Sequence, residues 1–301
     1  MAGKIISKKI DKSHKKGKQS KQKLKNSKKY RKTRKMQRLL EHFNLTDKLL
    51  TDREIEKCNK ILIDNEDKCN CFRDNIPKSN ITDCLKRNNN NACIDYNQCK
   101  RKFSKLLSGN EPKYNPNRWN DPIIEGSHNC YAYFLDDHIP KIKEKCFKMC
   151  NKKGKCDKKF KKCEDLKPQP GDYAGVFNDI YQCKDMVEKI MLDNLDKKSN
   201  KRNISKVKFN QRCPKHYYKG AVVVDPNHTY HFYRQDDNVR FSHKQGTLEI
   251  ENKDANRDPI YVPHLADRNY NKKKEKDGIN YTDFCNYLCI PSNKYKDTHA
   301  I

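Results

Sequence analysis

The stretch Glu125–Pro140, EGSHNCYAYFLDDHIP, decides how the rest of the chain is read. Gly126 permits a sharp change of direction, Ser127 or Asn129 is placed to cap a helix, and Cys130 then falls in that helix's first turn. The apolar run Tyr131, Ala132, Tyr133, Phe134 and Leu135 follows before acidic residues and Pro140 close the segment. At a helix start the unpaired amide N–H groups and the positive end of the dipole favour an anion, so a thiol there is expected to titrate lower and attack faster. The chain has 15 cysteines, and any one of them can equally be read as a further buried or disulfide-paired residue. What sets Cys130 apart is a histidine-bearing strand pair later in the chain, HTYHFYRQDDNVRFSHKQG from His228 to Gly246.

Strand alternation sorts that pair. Over Thr229–Arg234, Thr229, His231 and Tyr233 project one way and Tyr230 and Phe232 the other, while Val239, Phe241 and His243 share a face on the next strand. A cysteine at a helix start that faces a strand histidine, itself oriented by a second polar group, is the arrangement cysteine hydrolases need. The imidazole takes the thiol proton, the thiolate attacks a carbonyl carbon, and N–H groups near the helix start hold the oxyanion.

At these residues the chain resembles the NlpC-like and CHAP superfamily of papain-like cysteine peptidases and amidases. The matching pieces are HNCYAY with Cys130, QPGD with Asp172 opening the sheet, and HFYRQDDNVRFSHKQG. The resemblance implies an α+β papain-like domain over about residues 111–291, its nucleophile helix packed on an antiparallel sheet. It maps the nucleophile onto Cys130, the base onto His231 and the orienting group onto His243. Asp236, Asp237 or Asn238 stand as alternative orienting groups, and His228 in its DPNH turn competes as base. The implied activity is cleavage or transfer of an acyl or amide group on a peptide or amide substrate, without metal or cofactor.

Outward from this core, the meander is expected as a buried strand Lys219–Asp225, a turn at Asp225–His228, a strand Thr229–Arg234, a turn at Gln235–Asn238 and a strand Val239–His243. Pro170-Gly171-Asp172 reads as a turn feeding a short strand, and Met186–Leu195 as a helix. Cys285 and Cys289, in TDFCNYLCI, have helical i,i+4 spacing. Residues 139–165 carry Cys146, Cys150, Cys156 and Cys163 among lysines and read as an insertion, with disulfides favoured over a zinc clip. Residues 292–301 are a polar tail.

Upstream, residues 41–110 form a Cys-rich helical region, with helical apolar spacing over 36–63 and a capping-box pattern at Thr51 and Glu54. Cys69, Cys71, Cys84, Cys93 and Cys99 do not have the spacing of a common zinc template, so disulfide-stapled helices are the expectation. If Cys130 is a free nucleophile, the remaining cysteines are even in number. Residues 1–40 hold 17 Lys+Arg against the single acid Asp11, more than half of the formal charge of +28. That arm is expected to be disordered and to contact nucleic acid or another polyanion through phosphates, with Tyr30 as its lone aromatic; the plainer reading is a solubilising tail.

No apolar run is long enough to span a membrane, and the N-terminus lacks the apolar core of a secretory signal. Abundant cysteine without such a signal is reconciled by oxidation outside the secretory route, as in a virion assembled in host cytoplasm, and the Lys, Asn and Ile bias suits the AT-rich genome of a large DNA virus. The alternative function is a non-enzymatic virion or nucleic-acid-associated protein whose arm does the binding.

Overall fold

Thr51 opens the first helix by a capping box: Glu54 N–H donates to its Oγ1, and the Glu54 carboxylate accepts from the Thr51 N–H at 2.9 Å. This is α1 (Asp52–Cys69), in a computed structural model that describes residues 49–70, 90–137, 167–196, 201–226, 228–271 and 278–292. The described residues from Thr51 onward belong to one compact unit. The basic arm of 1–40, the insertion expected at 139–165 and the last nine residues of the tail lie outside the described residues.

Helix α2 (Asn91–Ser104) is capped by the Asn90 side chain, which accepts from Cys93 N–H at 2.8 Å. It runs antiparallel to α1, since Cys58 pairs with Cys99 and Cys69 with Cys93. Leu62 and Tyr96 are buried between the disulfides, and Ile55 and Phe103 beyond the Cys58–Cys99 bond. The staples expected of this region are therefore present for these four cysteines, while Cys71 and Cys84 lie outside the described residues. Buried Glu66 ties the pair to the rest of the unit, accepting from the Tyr261 hydroxyl and the Arg240 guanidinium.

Three short helices lead to the centre: α3 (Pro116–Trp119), α4 (Pro122–Ser127) and α5 (Cys130–Phe134). After them come α6 (Cys183–Asp193) and, among the described residues, eight strands. The strands are β1 (Leu195–Asp196), β2 (Lys201–Arg202), β3 (Ser205–Val207), β4 (Tyr217–Asp225), β5 (Thr229–Gln235), β6 (Phe241–Lys244), β7 (Ile250–Glu251) and β8 (Asp283–Pro291). β1 and β2 pair with each other, and the rest form a six-stranded antiparallel sheet in the order β3-β8-β4-β5-β6-β7. The architecture is α+β, as expected, and α5 and α6 cover one face of the sheet. Their Tyr131, Phe134, Leu135, Met186, Val187 and Ile190 bury against Val222, Val224, Phe232, Leu288 and Ile290.

Four local expectations are corrected. Asp283–Pro291 is a strand, not a helix, because i,i+4 spacing also keeps residues on one face of a strand. A register shift opposite Val222/Val223 falls at Cys285, which is bonded to Cys183 on α6, and Cys289 is bonded to Cys213. The QPGD turn leads into a 3-10 turn, Asp172–Ala174, rather than a strand, and so does not open the sheet. β6 starts at Phe241, since Val239 has φ 70° in the preceding turn. Gly126 lies inside α4, so the change of direction before α5 is made at His128 and Asn129, which are extended.

Candidate functional site

Helix α5, which Cys130 opens, is held from several sides. Asn129 caps it: its Oδ1 accepts from Ala132 N–H at 3.0 Å, and its Nδ2 donates to Pro168 O at 2.8 Å, joining the cap to the loop before the QPGD turn. Tyr131 donates its hydroxyl to Asp193 at 2.9 Å, and the same carboxylate takes Gly171 N–H at 2.7 Å and Ala174 N–H at 3.0 Å. Asp193 thus fixes the QPGD turn to α5 and α6 together. Phe134 stacks on Phe232 at 4.7 Å and lies against Gly220, where a Cβ would meet its Cε2 at 2.2 Å; the glycine is what lets helix and sheet approach so closely. Tyr133 bonds Ser242 Oγ at 2.6 Å and accepts from the buried Arg234 at 2.9 Å, whose guanidinium also binds Asp136 and Asp236.

Cys130 is the free cysteine among the described residues and is partly exposed. It lines a cleft of about 820 Å³ together with Lys167, Gln169, Tyr230, His231, Tyr281 and the wall Gln245–Leu248. The amides of Tyr131 and Cys130 favour its thiolate, as a helix start should, but burial outweighs them and pushes the thiol up to about 12. The expectation of a thiol that titrates low is corrected: desolvation of the anion exceeds what one short helix terminus returns.

His231 and His243 meet as their shared face requires. His231 Nε2 and His243 Nδ1 are 2.9 Å apart, and His243 Nε2 is 2.9 Å from Lys253 O. A carbonyl only accepts, so His243 carries its proton on Nε2 and presents a bare Nδ1 to His231. His231 therefore donates from Nε2, and its own Nδ1 is left as the unprotonated nitrogen. Burial, with His243 adding to it, holds His231 well below the usual histidine range, and burial lowers His243 as well, so both are neutral near pH 7. The Tyr281 ring stacks on His231 at 5.2 Å, 20° from parallel, and restrains the imidazole from the other side.

Cys130 and His231 border the same cleft, yet no hydrogen bond joins them in this structure. The reason lies in the register. α5 packs on the face that carries Phe232, Arg234 and Ser242, whereas His231, Tyr233 and His243 belong to the opposite face. The β5–β6 ladder is confined to Arg234↔Ser242 and Gln235↔Phe241, so the start of β5 has no strand beside it there, and Thr229, Tyr230 and His231 all border the cleft.

Of the other candidates, Asp236 is buried against Arg234 and Ser242 rather than the histidines, and His228 is exposed beside Asp225. Asp172 caps its own turn, accepting from Gln169 N–H at 2.6 Å. Trp119 is a core residue, packed edge-on against Tyr133 at 4.8 Å. Sequence reasoning missed Lys244, Tyr230 and Tyr281 around Cys130; an SHK run with lysine one place after His243, hence on the helix side, was the available signal for the first. Among the described residues no group of three or more His, Cys, Asp or Glu is placed to hold a metal ion, and no helix is long and apolar enough to cross a membrane.

No family model matches the chain, and no solved structure matches it with significance. Part of the chain is similar to Insoluble matrix shell protein 1 of Ruditapes philippinarum, 43% identical over 70 residues, which are 23% of this chain and 40% of that protein. The chain thus matches less than half of the length of this curated relative.

Proposed function

We propose that the protein is a cysteine hydrolase or acyltransferase in which Cys130 is the nucleophile, His231 the general base and His243 the group that sets the base's tautomer. The observation that carries this reading is the ordered proton chain from His231 through His243 to Lys253 O, which leaves a bare Nδ1 on a residue bordering the cleft that holds the free thiol. The resting pair is a neutral thiol and a neutral imidazole rather than a preformed ion pair. Chemistry then starts when a bound acyl group brings the two together. The Sγ–H proton passes to His231 Nδ1 as sulfur attacks the carbonyl carbon, the leaving amine or alcohol takes that proton, and water or an acceptor amine resolves the thioester. Hydrogen bonds of this kind tighten in the substrate complex, so the present separation is compatible with the role. A papain-like arrangement of the domain belongs to the same proposal.

The test is acylation by p-nitrophenyl acetate followed by intact-protein and peptide mass spectrometry. An acetyl group on Cys130, absent in Cys130→Ser and formed at least a hundredfold more slowly in His231→Ala, is the expected result. Acetylation that avoids Cys130, or is indifferent to His231, overturns the reading.

A second reading, drawn from the charge of residues 1–40, is a non-enzymatic virion or nucleic-acid-associated protein whose basic arm binds a polyanion. It requires affinity for heparin or DNA that falls steeply with salt and is lost when residues 1–40 are removed.

A further inference from the structure

We propose that Lys244 is a positioning residue for the Cys130 site: it pins the cleft wall Gln245–Leu248 to the segment that launches the nucleophile helix and holds a positive charge on the thiol's side of the sheet. This inference rests on the reading of Cys130 as nucleophile.

Lys244 ends β6 and is fully buried, a position a lysine occupies only with its ammonium satisfied. Its Nζ donates to three carbonyl oxygens, Glu125 at 2.8 Å, Gly246 at 3.0 Å and Leu248 at 2.6 Å. An ammonium has three protons, so the charged form fills all three acceptors, whereas a neutral amine leaves one unmet. Glu125 belongs to the last turn of α4, where carbonyls lack helical partners and a cation is favoured. Gly246 and Leu248 are themselves cleft-lining. One side chain therefore joins the end of α4, a few residues before Cys130, to the opposite wall of the cleft.

The placement follows from alternation. Ser242 and Lys244 are the β6 residues on the α5 face, and each holds a different part of the same segment, Ser242 through the Tyr133 hydroxyl and Lys244 through Glu125 O. The groups that act electrostatically on Lys244 are Glu125, Lys167 and Cys130, and the cations acting on the thiol are Lys244 first and Lys167 after it, with the Tyr230 and Tyr281 hydroxyls also coupled to it. Burial lowers the Lys244 pKa to about 7, with Lys167 adding to the shift and Glu125 and Cys130 opposing it, so the ammonium that fills all three carbonyls is the dominant form below that pH. The consequence for chemistry is that the positive charge attracts the developing thiolate on one side while the imidazole removes the proton on the other.

The experiment compares iodoacetamide alkylation of Cys130 from pH 5 to 9, together with amide hydrogen exchange at 245–248, in the full chain and in Lys244→Met and Lys244→Arg. The Met chain is expected to alkylate about tenfold more slowly below pH 7, the equivalent of one pKa unit, with the difference closing as the wild-type lysine loses its proton above pH 7, and to exchange faster at 245–248. The Arg chain, which keeps the charge without the three-point grip, is expected to alkylate at the wild-type rate below pH 7 while still exchanging faster. A Met chain that alkylates like wild type below pH 7 overturns the inference, since a merely structural lysine leaves the thiol's reactivity alone. Where the Met chain does not fold, the Arg chain decides: a wild-type alkylation rate below pH 7 with faster exchange supports the inference, and any other result there overturns it. Acetylation of Cys130 by p-nitrophenyl acetate with alkylation indifferent to Lys244 sinks this inference alone; Lys244-dependent alkylation without acetylation sinks the hydrolase reading alone.

Discussion

Replacing Gly220 by alanine tests the contact on which the position of α5, the helix of Cys130, depends. The added Cβ would stand 2.2 Å from Phe134 Cε2 and 3.0 Å from Cδ2 and Cζ, where ordinary carbon contacts lie near 3.5–4.0 Å. The ring has to withdraw by more than about 1 Å. It has nowhere free to go, being fully buried, stacked on Phe232 at 4.7 Å and flanked by Tyr131 at 6.4 Å. Overpacking of this kind costs about 1–3 kcal/mol, with a rigid stacked ring at the upper end. Alanine returns roughly 0.4–1 kcal/mol by restricting the unfolded chain, which leaves a net loss of about 2 kcal/mol. For a unit of this size that is a fall in Tm of about 4–8 °C, measurable by differential scanning calorimetry with the disulfides intact. Phe134 and Cys130 are i,i+4 on the same helix face, so the displacement reaches the thiol, and acetylation is expected to fall by about a hundredfold. Phe134→Leu in the Gly220→Ala background makes room and should recover part of both losses, a coupling that a double-mutant cycle reads directly. A Gly220→Ala chain that melts within 1 °C of wild type (roughly 0.3 kcal/mol) and acetylates normally would refute the packing argument.

Three further outcomes are expected. Asn129→Ala removes both the cap on Ala132 N–H and the tether to Pro168 O and should cost about 2 kcal/mol by urea denaturation, whereas Asn129→Asp keeps the cap and should cost about half as much. His243→Leu takes away the acceptor that sets the His231 tautomer, so acetylation of Cys130 should drop at least a hundredfold with little change in the far-ultraviolet circular dichroism; an unchanged rate removes His243 from the mechanism. Lys219 is fully buried with Phe209 O as acceptor, and burial lowers its pKa to about 7. The unfolded chain, with an ordinary lysine pKa, then binds more protons than the folded one between pH 7 and about 10, so this residue makes stability rise with pH across that window, by at most about 1.4 kcal/mol per pH unit. Lys219→Met should flatten the slope of unfolding free energy between pH 7 and 9, and a slope identical to wild type counts against a neutral buried lysine.

Much of the local structure is written in the sequence because it depends on neighbours in the chain. The capping box at Thr51 and Glu54, the cap of Asn129 on the helix of Cys130, and the meander of β4, β5 and β6 all follow from side chains acting on their own backbone or from period-two alternation. Alternation grouped His231 with Thr229 and Tyr233, and His243 with Phe241, each on its own strand, and the β5–β6 register brings the two histidines within 2.9 Å. Where two periodicities coincide, the sequence is silent between them: Cys285 and Cys289, four apart, suit one face of a helix or of a strand, and pairing with β4 and β3 decided for the strand.

What only the tertiary structure decided is which layer covers which face. Alternation groups Tyr230 with Phe232 and His231 with Tyr233, but it does not say which group receives α5. The close approach of Phe134 to Gly220 and Phe232, and the bond of Tyr133 to Ser242, put the helix on the even-numbered face, so that Lys244 rather than an imidazole stands behind Cys130. The thiol's titration was likewise undetermined by the chain order, because desolvation depends on everything packed around the sulfur and not on its place in a helix. The chain by itself determined the caps and the alternation that sorts each strand; register, burial and the choice of face, which depend on distant residues, determined how those pieces meet.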